Sequence, residues 1–422
     1  MITLDFFAVN VALPAIAAEL GAGPAAVQLV VVGYGLAYAA GLITWGRLGD
    51  LHGRRRLFAI GLGLFTAASA ACGLAPSAGL LVAARVLQGV AAGMMAPQVL
   101  AILGTSFDGP ARVRAFAAFG LAKGMAGVFG QLIGGALITA DADGLGWRLV
   151  FLVNIPIGLL ALLRVRSVIP ESRVDGGVLD GRGAALAALA LTAFVLPLVV
   201  GREQGWPVWA WLSLAGAVVL AAVFARVQKL VDVRVFSRRG FTRGALLTTG
   251  YYAAMGAFLL VLSLYLQDGL GLGPLGAGLL YTALGAGFLV VLVRGPAVVT
   301  RLGGHRVIAI GALALSAGWV ALAGTVLATD EPLWLVPALL VCGLGMGLVM
   351  AQLTATAIAD VPPEQVGAAS GVLNTAIQVG SAVGAAAIGV VFYGVAGPAA
   401  ALAASLGALA ALGIVIAASV PK

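Results

Sequence analysis

Three charged residues stand inside runs that are otherwise apolar: Asp5 in ITLDFFAVNVALPAIA, Arg85 in LLVAARVLQGVAAG and Lys123 in AFGLAKGMAG. Charge inside a membrane span is costly and marks function by default. A carboxylate held in low dielectric can take up and release a proton. Arg85 has Gln88 three residues on, so both lie on one helical face. Each also has a plainer account. Asp5 has only four residues before it and could be a helix-end acid, Arg85 could belong to a structural ion pair, and the long stem of Lys123 could snorkel toward water.

A second concentration of charge is GRLGDLHGRRR, residues 46–56, with four arginines, one aspartate and one histidine in eleven residues. Gly46, Gly49 and Gly53 permit a tight turn and close approach to another helix. Asp50 could face a helix N-terminus or pair with Arg54. Such a turn could latch two bundles together. The alternative is a plain basic loop.

These residues need helices to hold them. The 422-residue chain is 62% hydrophobic and 9% charged, against about 25% charged in an average globular protein. Apolar runs of about 18 or more residues recur throughout without period-2 alternation, so the chain reads as a polytopic α-helical membrane protein. Fourteen spans are expected: 2–18, 27–45, 57–75, 79–103, 114–139, 148–166, 183–200, 209–226, 244–266, 275–299, 306–328, 332–359, 365–394 and 397–420.

With both termini cytoplasmic, twenty of the 24 Lys and Arg fall in cytoplasmic segments. Only Arg148 and Arg202 fall outside, and Arg85 and Lys123 lie within spans. This asymmetry sets the orientation. It also accounts for the net charge of +8, so no nucleic-acid partner is expected. Cys72 and Cys342 lie in apolar runs, and His52 and His305 lie in separate polar loops. No metal site, disulfide framework or cofactor is expected. No GxxxxGK[ST] loop occurs, which argues against ATP drive.

Residues 301–311, RLGGHRVIAIG, form a shortened copy of 47–61, RLGDLHGRRRLFAIG. Spans 4 and 5 are echoed more weakly in spans 12 and 13. Internal repeats of this kind build two bundles around a central site. Spans 7 and 8 have no partner and read as an insertion.

The segment 46–56 resembles the loop signature of the major facilitator superfamily, G-x-L-x-D-x-x-G-R-R-x, at Gly46, Leu48, Asp50, Gly53, Arg54 and Arg55. LDFFAVNVALP (4–14) resembles the first-span motif of the fourteen-span drug:proton antiporters. RVLQGVAAGMMAP (85–97) resembles their fourth-span pattern, and WRLVFLVNIPIG (147–158) their sixth-span opening. The resemblance implies that Asp5 and Arg85 couple protons, and that the loop with Gly46, Gly49, Asp50, Gly53, Arg54 and Arg55 gates alternating access.

The fifth span aligns Gly120, Gly124, Gly127, Gly130 and Gly134 on one face, where small residues let a neighbour pack closely. It resembles the family's antiporter motif, but Gln131 stands where that motif has a proline. An expected kink is thereby lost. Gln88, Lys123, Tyr251, Tyr252, Asn374 and Gln378 are candidates to line a largely apolar substrate cavity.

The expected fold is that of an all-α membrane protein with two pseudo-symmetric six-helix bundles, 1–166 and 243–422, and an inserted two-helix segment at 167–242. The expected function is proton-coupled efflux of hydrophobic or cationic organic compounds by a monomer in the bacterial inner membrane. A metabolite transporter on the same fold, or a non-transporting sensor or scaffold, are the alternatives. No cleavable leader is expected from the opening residues. Span 1 is short for a bilayer about 30 Å thick, so the native protein is expected to begin upstream of Met1, with Asp5 near the surface if it does not.

Overall fold

The computed structural model describes residues 1–141, 144–173, 181–201, 204–227, 238–358, 361 and 366–420. Among them the chain is helical, with no strand. The first seven helices are α1 (Ile2–Leu20), α2 (Pro24–His52), α3 (Arg54–Gly73), α4 (Ala78–Ser106), α5 (Gly109–Ala140), α6 (Leu149–Leu152) and α7 (Asn154–Val168). They are followed by α8 (Gly181–Val200), α9 (Val208–Val227), α10 (Arg239–Leu264) and α11 (Pro274–Leu302). The last four are α12 (Gly304–Ala328), α13 (Leu335–Ile358), α14 (Val366–Gly394) and α15 (Pro398–Ser419). Where their residues are described, the fourteen expected spans fall on helix, and the sixth combines the turn Gly146–Arg148 with α6 and α7. Among the described residues thirteen helices are long and apolar enough to cross a membrane. The fifth is a 32-residue helix whose apolar stretch Phe129–Ala140 is shorter.

Helix ends follow local chemistry. Proline opens α2, α11 and α15, where its missing N–H costs nothing. The Ser77 hydroxyl accepts from the Leu80 N–H to start α4. Gly21 ends α1 in the left-handed region.

The chain divides into two compact units. The first comprises Met1–Asp5, Ala15–Lys123 and Asp141–Asp232; the second comprises Phe6–Pro14, Gly124–Ala140 and Val233–Lys422. Within the first unit α4 packs on α2 and α3, α3 packs on α7, and α8 pairs with α9 and rests on α2. Within the second, α13 packs on α11 and α12, and α12 packs on α15. The sequence repeat is therefore a repeat of packing as well.

Close approaches recur in register. A Cβ on Gly89 of α4 would lie 2.3 Å from the Tyr34 carbonyl oxygen of α2, and Gly343 of α13 lies as tightly against Leu284 of α11. Counting back from these glycines sets Leu339 opposite Arg85 and Cys342 opposite Gln88, so the second copy of this helix is apolar where the first is charged.

The segment 46–56 was expected to be a turn, and this needs correction. α2 continues to His52 and α3 begins at Arg54, leaving Gly53 alone between them at φ +105°. Gly303 joins α11 to α12 in the same way at φ +79°. One glycine reverses the chain because only a residue without Cβ adopts that backbone cheaply.

Candidate functional site

The site lies wholly within the first unit. Gly89 brings α4 onto α2, and one turn earlier Arg85 reaches across to α2. Its Nε donates to the Val30 carbonyl at 2.9 Å. Its guanidinium carbon lies 4.1 Å from the Tyr34 ring centroid and 5.7 Å from that of Phe151. Arg85 is fully buried, and so is Asp5. They meet as an ion pair, with Arg85 Nη1 2.6 Å from Asp5 Oδ2. An unpaired charge at this depth would cost several kcal/mol, and two opposed, hydrogen-bonded charges offset much of that penalty.

Two amides complete the shell. Gln88 Nε2 donates to Asp5 Oδ1 at 3.0 Å and to Ser69 Oγ at 2.8 Å. Its Oε1 accepts from Arg85 Nη1 at 2.6 Å and lies 3.7 Å from the Cys72 thiol. Asn154 Nδ2 donates to Asp5 Oδ1 at 2.8 Å. All three neighbours donate to the carboxylate, and none accepts from it. α4 and α7 thus converge on one carboxylate of α1, and α3 braces Gln88 through Ser69.

Asp5 is therefore not the surface acid expected of a helix that starts near Met1. Three donors from α4 and α7 enclose it within its first turn. Arg85 has the ion-pair partner foreseen in its plainer account, and that partner is the other coupling candidate. Gln88, expected in a substrate cavity, has both ends committed to this network.

The sixth-span motif supplies residues that the sequence reading did not single out. Trp147 Nε1 donates to Glu19 Oε2 at 2.7 Å, and Arg148 forms an ion pair with Glu19. Phe151 lies beneath Arg85, and Asn154 reaches Asp5. The spacing W-R-x-x-F-x-x-N was the available signal for Asn154. Glu19 carried no such signal.

At the Gly53 junction, Arg54 Nε and Nη2 donate to Asp50 Oδ1 at 2.9 and 2.7 Å. A Cβ on Gly49 would lie 2.0 Å from Gln98 Oε1, while Gly46 sits in ordinary contact with Pro97. Glu171, in the segment after α7, was also not anticipated. Its Oε1 accepts from the Arg55 N–H at 3.1 Å, and its Oε2 lies 3.5 Å from Arg55 Nε. The Arg54 N–H donates to the Ser172 carbonyl at 3.0 Å. Glu171 thus closes the N-terminus of α3, which leaves backbone N–H groups unpaired within the helix.

The remaining candidates do not join the network. Gly124 abuts Leu292 and Phe288, Gly127 abuts Phe7, and Gly134 abuts the Ala8 backbone. Gly130 is buried, and the surroundings of Gly120 lie outside the described residues. Gln131 is buried with Nε2 unpaired among the described residues. Tyr251 spends its hydroxyl on the Met346 carbonyl and packs edge-on against Tyr252. Lys123 is exposed and Gln378 half-buried; the side chain of Asn374 lies outside the described residues. No metal-binding cluster occurs among the described residues.

Apolar helices of spanning length, thirteen among the described residues, define a multi-pass membrane protein. The chain belongs to the Major Facilitator Superfamily, whose family model matches residues 1–385. It is 38% identical to the cephamycin export protein of Amycolatopsis lactamdurans, over 92% of this chain and 82% of that one. It is 37% identical to the puromycin resistance protein of Streptomyces alboniger, over 93% of this chain and 80% of that one. Among solved structures it resembles a peptide transporter of the POT type at TM-score 0.72 and 17% identity, covering 99% of this chain and 91% of that one. It also resembles the human organic anion transporter MFSD10 at TM-score 0.63 and 17% identity, covering 99% and 96%. These structural likenesses show the fold. The chain is a transporter of small molecules and not an enzyme.

Proposed function

We propose that this protein exports hydrophobic or cationic organic compounds, antibiotics among them, across the bacterial inner membrane in exchange for protons. The observation that carries the reading is the buried Asp5–Arg85 pair with Gln88 and Asn154 on the same carboxylate. A proton arriving at Asp5 cancels the charge that holds Arg85 and both amides, and so loosens the contacts among α1, α4 and α7. The identity with antibiotic export and resistance proteins supports the direction and the substrate class.

Asp50, Arg54 and Arg55 gate the cytoplasmic side in this reading, both termini are cytoplasmic, and a single copy works alone. The division into bundles 1–166 and 243–422 around an insert at 167–242 is supported by the repeated packing of α2–α4 in α11–α13.

The experiment is reconstitution into liposomes with an internal pH indicator. Adding a transported dye or antibiotic should produce proton movement opposite to that of the substrate. A panel of compounds then defines the range. Substrate movement that neither responds to nor generates a pH gradient would overturn the coupling.

A further inference from the structure

The two glycine junctions are built alike and finished differently. Beside Gly53 stands Glu171, so close that a Cβ would lie 2.7 Å from its Oε1. Beside Gly303 a Cβ would meet nothing within 4 Å. Counted from the glycine, His305 takes the place of Arg55. The segment after α7 reads Ile169-Pro170-Glu171, while the segment after α15 reads Val420-Pro421-Lys422. The first junction carries its own carboxylate, and the second has a lysine at the matching position in the sequence. Pro421 and Lys422 lie outside the described residues.

A cleft opens at this second junction, between the N-terminal turns of α10 and α12. Arg243 and His305 line it, together with apolar Leu247, Ile308, Leu353 and Val420. No acidic side chain lines it among the described residues. Neither Arg243 nor His305 forms an ion pair or hydrogen bond there among the described residues, although Arg243 lies within the first two turns of α10 and His305 within the first turn of α12. The positive ends of two helices add to the charge of Arg243. Anionic oxygen is the complementary ligand.

We propose that this cleft binds the phosphate of an anionic phospholipid from the cytoplasmic leaflet, with its acyl chains lying along α10 and α12. This rests on the cytoplasmic placement proposed above. Thr356 adds a hydroxyl and Ala357 a further apolar side chain to the lining; the apolar residues give a free anion nothing and give an amphiphile a wall. Leu246 and Ile310, on the same two helices, are exposed apolar side chains that can continue that wall. Basic pockets between helices at the cytoplasmic surface are suited to such headgroups.

The test uses the full chain in detergent, with phosphatidylglycerol added, read by native mass spectrometry and thermal unfolding. The wild-type protein should retain one phosphatidylglycerol molecule and unfold at a higher temperature with it. Arg243→Gln/His305→Gln should raise half-saturation about tenfold. Should that double variant not fold, Arg243→Gln alone is read the same way. Arg301→Gln/Arg306→Gln, which removes cations near the same helix end but outside the lining, should bind like wild type. Unchanged binding by the double variant overturns the site. Equal binding of phosphatidylcholine shows that the anionic charge is not read, and displacement by millimolar inorganic phosphate shows a free-anion site; either overturns the lipid assignment. Labelling of a cysteine introduced at Arg301 reports orientation separately, so failure of the topology and failure of the site are told apart.

Discussion

Asn154 Nδ2 donates a hydrogen bond to Asp5 Oδ1 at 2.8 Å, across 149 positions of sequence. Gln88 donates to the same oxygen and Arg85 to the other. A proton placed on Oδ1 would set an O–H against two amide N–H groups. At least one amide must then rotate or withdraw. The Asn154 Oδ1 has no hydrogen-bond partner among the described residues, so rotating that amide breaks no bond at its oxygen. In the proposed mechanism, protonation of Asp5 would thereby act on the contact between α1 and α7, the kind of link a proton-driven conformational change requires.

Asp5→Asn should abolish substrate movement driven by an imposed pH gradient while leaving substrate binding measurable. The variant keeps the shape but cannot carry the proton. It also leaves Arg85 buried without a counter-charge, so stability should fall by about 3–5 kcal/mol, seen as a lower thermal midpoint. A variant that still drives substrate uphill would place the coupling acid elsewhere.

Asn154→Leu removes one of the two donors to Oδ1 without touching the ion pair. The stability loss should be smaller, about 1–3 kcal/mol, and efflux should slow by about tenfold, equivalent to ~1.4 kcal/mol. Asn154→Ala should behave alike. Efflux at the wild-type rate in both variants would reduce Asn154 to a packing residue.

The helices were legible because membrane burial writes itself as long apolar runs, and the described residues of each expected span fall on helix. Asp5 and Arg85 were legible because charge is rare in such runs. That they meet was not, because pairing depends on how far α4 approaches α2, which Gly89 and the Tyr34 backbone set. Gln88 was read as a cavity residue because sequence gives its face and not its partner. Glu171 was missed because an acid after a span is ordinary in a loop, and only the fold brings it to Gly53.

Gly134 and Gly124 share a helix face in sequence but meet different neighbours. A Cβ on Gly134 would lie 2.8 Å from the Ala8 carbonyl oxygen and 3.0 Å from its Cα, which are backbone atoms that cannot rotate away. A Cβ on Gly124 would lie 3.5 Å from a Leu292 methyl group, an ordinary contact. Gly134→Ala should therefore destabilise by about 1–3 kcal/mol, and Gly124→Ala should stay within about 0.5 kcal/mol of wild type. Thermal unfolding of the two purified variants checks the contrast. Equal midpoints would mean that the ridge packs uniformly.

Gly53 and Glu171 form a pair whose energies should not add. Gly53→Ala imposes two costs: a positive-φ backbone at φ +105°, ψ 122° that a residue with Cβ rarely adopts, about 1–3 kcal/mol, and a contact 2.7 Å from the Glu171 carboxylate. Glu171→Ala removes a partly exposed ion pair with Arg55, worth about 0–1 kcal/mol. The double variant keeps the backbone strain but loses the steric conflict. Its destabilisation should fall short of the sum of the single variants by about 0.5–2 kcal/mol, as expected of residues in contact. Transport should separate the two roles. Glu171→Ala should alter the efflux rate with little change in thermal midpoint, because it frees the N-terminus of α3 without unfolding it. Strict additivity in stability would show that the carboxylate does not rest on Gly53, and an unaltered efflux rate would show that Glu171 has no part in the proposed gate.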